Sequence, residues 1–179
     1  MKLNFCHMLL FSFALAGAFS CKDQSLSPVV ESSASSHINQ AIMKVNKYMA
    51  RRNRDHIESF VRRTGWSMKQ TGSGLWIEVL SEGKGNQAKS GQRIHLEYEL
   101  KLLDGTIVES SSQTGPLDFR IGQGGVESGL EEGVLHLKEE TSARLLIPPH
   151  LAYGNFGNQE KGIPPDAILL YEIKVISIL

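Results

Sequence analysis

The chain has 179 residues, 19 Lys/Arg against 19 Asp/Glu, 41% hydrophobic residues and two cysteines. That length suits one domain of ordinary size plus attachments, and the balanced charge goes with a protein that takes no nucleic acid. The charge is unevenly spread: residues 1–69 carry ten Lys/Arg and four Asp/Glu, a net +6, so residues 70–179 carry −6. The basic half suits anionic lipid or an acidic partner, or is simply a set of solvated helix faces.

Met1-Lys2, an apolar run over residues 5–18 and small residues after it form a secretory signal over 1–20. The run is too short for a comfortable membrane span. Cys6 would leave with the signal, so the mature monomer keeps Cys21 and has no disulfide. Cys21, directly after Ala18-Phe19-Ser20, is similar to the lipobox cysteine of bacterial lipoproteins, which is acylated and becomes the new N-terminus. Ala18 and Ser20 stand where that box usually has Leu and Gly or Ala, and ordinary cleavage nearby is the alternative. The resemblance implies a lipid on Cys21, an envelope location facing periplasm or cell surface, and a membrane partner.

Residues 21–36 are serine-rich and read as a flexible tether of roughly 20 Å. A basic helical segment follows over 37–69. Ile38, Ala41, Ile42, Val45 and Met49 form one stripe. Asn53-Arg54-Asp55 interrupts it, and Asp55 with Glu58 opens a second helix as a capping box, with Ile57, Phe60 and Val61 inside and Thr64-Gly65 closing it. Two such short helices need a partner: they dock on the next domain or pair with a second copy.

Over 70–179 the period changes to two. Leu75, Ile77 and Val79 begin a strand; Ile94, Leu96, Tyr98, Leu100 and Leu102 alternate with Arg93, His95, Glu97, Glu99 and Lys101 in a long one. Asp104-Gly105 marks a hairpin returning through Ile107 and Val108. Leu117, Phe119 and Ile121 alternate before four glycines, and Val126, Leu130 and Val134 form the stripe of a short helix. Residues 143–147 are a further strand stopped by Pro148-Pro149, and residues 167–179 the last. The expectation is an α+β fold, a curved antiparallel sheet of five to six strands wrapped around one short helix, preceded by two short N-terminal helices.

Gly83-Lys84-Gly85-Asn86-Gln87-Ala88 fits a dinucleotide pattern, but a strand follows it, so no helix N-terminus can hold a pyrophosphate. No histidine pair has metal spacing, which points to no metal and no cofactor. Glu131-Glu132 and Glu139-Glu140 read as solvated pairs rather than acid–base groups.

Gly91-Gln92-Arg93, Leu103-Asp104-Gly105-Thr106, Glu109-Ser110-Ser111, Gly115-Pro116-Leu117, Gly129-Leu130-Glu131-Glu132-Gly133-Val134, Ile147-Pro148-Pro149-His150-Leu151-Ala152-Tyr153-Gly154 and Gly162-Ile163-Pro164-Pro165-Asp166-Ala167 together resemble FKBP-type peptidyl-prolyl isomerases in order and spacing over about 75–179. With the lipoprotein signal, the chain also resembles small gliding-motility lipoproteins of that family. The resemblance implies a sheet wrapped around one helix, rotation of X–Pro bonds in client proteins, and a pocket at Tyr98, Phe119, Val126, Tyr153, Ile163 and Tyr171. Five positions differ from the family. Val108-Glu109 replaces a Phe-Asp pair, Leu117 a wall aromatic, Glu127 an isoleucine whose amide holds a substrate carbonyl, and Leu130 the floor tryptophan. Asn158-Gln159 stands where the loop histidine is missing. The Tyr153 hydroxyl and the Glu127 N–H are expected to hold flanking carbonyls, and Glu109 to act through Tyr98. The resemblance also implies FK506-class macrolide binding, weakened by these changes, and a homodimer through the N-terminal helices is a further expectation. The alternative function is a catalytically weak prolyl-binding chaperone or interaction module of an envelope complex.

Overall fold

The computed structural model describes residues 29–179, with side chains from residue 35; the signal and Cys21 lie outside the described residues. The chain divides into two compact units, 1–40 and 41–179. In the first, the described residues are helical, and 35–40 are exposed. They belong to α1, Val29–Thr64.

The two expected N-terminal helices are thus one. Asn53-Arg54-Asp55 carries neither proline nor glycine, so it costs only a few tenths of a kcal/mol per residue in helix propensity and does not break the ladder. Asn53 is itself buried, at 7% exposure. The end falls where expected: Gly65 takes φ 71° and its N–H donates to the Val61 carbonyl at 3.0 Å.

The second unit is built on a seven-stranded antiparallel sheet: β1 Lys69–Gln70, β2 Trp76–Ser81, β3 Arg93–Leu102, β4 Ile107–Ser110, β5 Leu117–Arg120, β6 Ser142–Ile147 and β7 Leu169–Ile178. Strand order is β1-β2-β6-β7-β3-β4, with β5 also paired to β3. The count exceeds the expected five or six partly through the two-residue β1, which sequence periodicity cannot detect. α2, Ser111–Thr114, is one turn between β4 and β5; α3, Ser128–Val134, lies against β6.

Alternation in β3 sets the inside and outside of the sheet. Ile94, Leu96, Tyr98 and Leu100 are buried and join Phe119, Ile121, Leu130, Val134, Leu145, Ile147, Tyr171 and Val175 in the main core. On the other face, Glu172 accepts from Lys101 Nζ at 2.9 Å and Arg144 Nε at 2.7 Å, and Lys101 also meets Glu99. Burial alone would raise the Glu172 pKa; the bonds from Arg144 and Lys101 outweigh it and lower it.

That outer face is not wholly wet. Ile57 of α1 packs with Leu146, Ile168 and Leu170 in a second cluster, backed by Phe60, Val61, Trp66, Met68, Trp76 and Leu103. The C-terminal half of α1 therefore docks on the sheet, and the Arg144 guanidinium stacks 4.4 Å over Trp66. Ile57 is 1% exposed, so Ile57→Ala is expected to cost about 2–5 kcal/mol. A urea midpoint equal to that of the parent would show that α1 contributes nothing to this unit.

Two glycines explain how α3 sits so close to β6. A Cβ on Gly129 would lie 2.3 Å from Ile147 Cγ2, and one on Gly133 would lie 2.6 Å from Leu145 Cδ1. Only a side-chain-free face allows that approach. Leu130 and Val134, on the adjoining stripe, are fully buried.

Candidate active site

The loop between β5 and α3 brings the site together. Glu131, expected to face water, instead accepts the Gly122 and Gly124 N–H groups on Oε1, each at 3.0 Å. Glu132 accepts the Ser73 hydroxyl at 2.7 Å, and Glu139 accepts the Ile178 N–H at 3.4 Å. Three of the four glutamates read as solvated pairs are stitches between segments, which adjacency in sequence cannot reveal.

A cavity of about 50 Å³ opens beside this loop, lined by Tyr98, Glu109, Leu117, Gly125, Val126, Glu127, Tyr153, Lys161 and Tyr171. Seven of these are among the residues expected to form the site. Phe119, Leu130 and Ile163 are buried in the main core, at 8%, 0% and 3% exposure, and do not line the cavity. Val108 packs against the same core, half-buried.

Tyr98 comes from β3 and Tyr171 from β7, their rings 6.1 Å apart and tilted by 37°. The Tyr98 hydroxyl shares a 2.9 Å hydrogen bond with Thr114 Oγ1 of α2, a partner not foreseen from the sequence. Burial raises the Tyr98 pKa, and the nearby Glu109 carboxylate adds to the rise. Glu109 itself accepts from Lys161 Nζ at 2.7 Å, and that bond holds its carboxyl below the ordinary value of 4.5. Lys161 is the second residue missed: it lies two positions past Asn158-Gln159, where the absent loop histidine drew attention. The loop that carries it is closed by reciprocal 2.8 Å bonds between the Asn158 and Ile163 backbones.

A depressed carboxyl stabilises the fold above the unfolded-state value and loses that contribution as pH falls through its lowered folded-state value. Acidification below the ordinary carboxylate range should therefore release Lys161 and lower the protection factors over 154–163, taken against the intrinsic exchange rate at each pH. Lys161→Met should move the Glu109 titration upward, read from its side-chain carboxyl carbon by NMR. An unmoved titration would break the assignment of the pair.

Glu127 is the residue whose side chain changes the picture. Its backbone caps α3, its carbonyl accepting from Leu130 and Glu131, and among the described residues nothing accepts its N–H. Its carboxylate turns into the cavity, where Oε1 accepts the Tyr153 hydroxyl at 2.5 Å and Oε2 the Tyr171 hydroxyl at 2.9 Å. The Tyr153 hydroxyl, expected to hold a flanking carbonyl, donates to Glu127 here. Burial, reinforced by this carboxylate, pushes both phenols well above their ordinary range. Both remain protonated donors.

A small cleft with apolar walls and with hydroxyl and amide donors, set beside a short helix and an antiparallel sheet, defines a class of protein, and sequence comparison gives the same class. The family model described as FKBP-type peptidyl-prolyl cis-trans isomerase matches residues 84–176, just over half of the chain. The chain belongs to the FKBP-type peptidyl-prolyl cis-trans isomerase family. It is 35% identical over 136 residues to a probable FKBP-type peptidyl-prolyl cis-trans isomerase, FkpA, of Neisseria meningitidis serogroup B, covering 74% of this chain and 49% of that protein. The crystal structure of AtFKBP13 superposes with a TM-score of 0.60 at 36% identity, covering 63% of this chain and 99% of that one. The crystal structure of FkpA from Escherichia coli gives 0.62 at 28% identity, covering 86% of this chain and 74% of that one. The chain spans about half the length, or less, of the curated relatives it matches.

Proposed function

We propose that this protein is a peptidyl-prolyl cis-trans isomerase that rotates X–Pro bonds in proteins of the cell envelope and so assists their folding. The observation that carries the reading is the cleft beneath Tyr153, lined by Tyr98, Leu117, Val126 and Tyr171, with the Glu127 N–H unengaged beside it. Rotation about an X–Pro bond is slow because twisting breaks amide resonance, a barrier of about 18–20 kcal/mol. The twisted amide is less polar than the planar one, so the apolar wall of the cleft penalises the ground state more than the transition state. Lowering the barrier by about 5 kcal/mol gives several thousandfold, without nucleophile, metal or proton transfer. In this reading Leu117, Val126 and Tyr171 face the proline ring, and Phe119, Leu130, Ile163 and Val108 hold that wall in place. The Glu127 N–H takes one flanking carbonyl, and the Tyr153 hydroxyl takes another once Glu127 yields it. Glu109, tied to Lys161, keeps Tyr98 protonated.

One observation favours a second reading, a prolyl-binding chaperone or interaction module of weak activity. The cavity of about 50 Å³ is well below the few hundred of ordinary ligand pockets, and the Tyr153 hydroxyl is engaged. The same crowding weakens the FK506-class macrolide binding that the family suggests. A lipid on Cys21 would hold the domain to a bacterial membrane, although residues 29–36 of the expected flexible tether belong to α1 instead. Exposed Ile42, Met43, Val45 and Tyr48 on α1 suit pairing with a second copy. A gliding-motility role rests on resemblance alone. Among the described residues no helix is long and apolar enough to cross a membrane.

A proline-peptide exchange assay decides between the readings. The full chain is expected to accelerate exchange, with Phe119→Ala and Tyr153→Phe each losing about tenfold or more, as the loss of one wall or one donor implies. Peptide binding at the uncatalysed exchange rate would establish the binding module instead. Unchanged rates in both variants would remove the site from this cleft.

A further inference from the structure

The cleft holds a charge that its lining does not balance. Glu127 is 8% exposed, and neutral phenol donors occupy both of its carboxylate oxygens. Among the described residues it forms no ion pair. Lys161, the cation in the lining, is already committed to Glu109. Two carboxylates and one ammonium leave a net −1 at the site. A carboxylate withdrawn from water and held only by neutral groups is poorly compensated, and its attraction for a cation exceeds that of the same pair in bulk water. The same carboxylate occupies the Tyr153 hydroxyl, so a ligand that takes that hydroxyl must draw the carboxylate aside. A cationic side chain does so by pairing with it; a neutral or acidic one has nothing to offer in exchange.

We propose that Glu127 is a specificity-determining residue, and that this cleft selects prolyl peptides carrying lysine or arginine beside the proline. The inference rests on the prolyl-peptide reading given above and extends it from any X–Pro bond to a charge-selected subset. It concerns the Glu127 side chain, whereas the family's use of this position lies in the backbone N–H.

The test takes the full chain and three tetrapeptides differing only in the residue before proline: lysine, leucine or glutamate. Affinity is measured by titration and exchange by NMR line shapes. The lysine peptide should bind about tenfold tighter than the leucine peptide, the size of a partly buried charge pair. The glutamate peptide should bind weakest, and the difference should appear in KM rather than kcat. Glu127→Gln should bring lysine and leucine to within about twofold. Equal affinities in the parent chain, or an advantage that survives in Glu127→Gln, would overturn the proposal. If that variant does not fold, as judged by near-ultraviolet circular dichroism, a norleucine peptide on the parent chain decides: affinity equal to that of the lysine peptide sinks the idea. Binding without exchange for any peptide would refute the isomerase reading while the affinities still decide the charge preference. No binding at all would refute both.

Discussion

Gly157→Ala is expected to dismantle the active-site loop while leaving the sheet folded. Gly157 takes φ 66°, and a Cβ there would lie 2.3 Å from the Ile163 carbonyl oxygen and 2.6 Å from the Pro164 carbonyl carbon. The left-handed conformation costs an ordinary residue about 1–2 kcal/mol. The collision adds more, because both neighbours are backbone and cannot rotate away. Together they threaten about 3 kcal/mol, more than a surface loop usually holds in reserve. The loop should therefore open by breaking the Asn158–Ile163 pair and loosening Tyr153 and Lys161, rather than unfolding the domain. Amide exchange over 154–163 should speed up with β3 and β7 protection unchanged, and peptide affinity should fall by about tenfold or more. A variant with parental affinity would mean that the loop takes no part in binding.

Glu127→Ile should give the opposite pair of effects, a less stable and more active protein. Removing the carboxylate leaves the buried Tyr171 hydroxyl without its partner, at a cost of about 1–3 kcal/mol. It also frees the Tyr153 hydroxyl and restores an apolar wall. A hydrogen bond to a charged group is worth about 1.5–3 kcal/mol, so relieving that competition should raise kcat/KM for a leucyl-prolyl peptide by about tenfold or more. Thermal unfolding and the exchange assay read the two effects separately. A lower rate for this neutral peptide would mean that the carboxylate assists catalysis rather than obstructing it.

What could be read from the chain follows the physics of each element. β3 was legible because one of its faces is buried over ten residues, so its apolar positions recur at period two from Ile94 to Leu100. The hairpin at Asp104-Gly105 was legible because the turn demands those residues: Gly105 has φ 92°, and Asp104 Oδ1 accepts the Thr106 N–H at 2.9 Å. α1 was misdivided because Asn53 is polar, and a polar residue on the inner face looks like a gap when the neighbour covering it is unknown. Tyr98, Tyr153 and Tyr171 could be placed by family spacing. Their partners could not, since Thr114, Lys161 and the Glu127 carboxylate meet them only across 16, 52 and 26 or 44 residues of sequence. The Lys161 figure is its separation from Glu109, through which it reaches Tyr98. At Glu127 the family resemblance suggested a role for the amide, which any residue can supply. The direction of its side chain is a tertiary fact.

The ends of the strand order matter for the function proposed above, in which the protein handles incompletely folded chains. Unpaired strand borders are templates on which another polypeptide can add itself, and such chains offer many candidate segments. Here the border strands are β1, two residues long, and β4 and β5, four residues each, while the ten-residue β3 and β7 lie inside. The long strands, which would nucleate co-aggregation most readily, have no open side along most of their length. In the function proposed above, a client is thereby steered away from backbone zippering and toward contacts it can leave again.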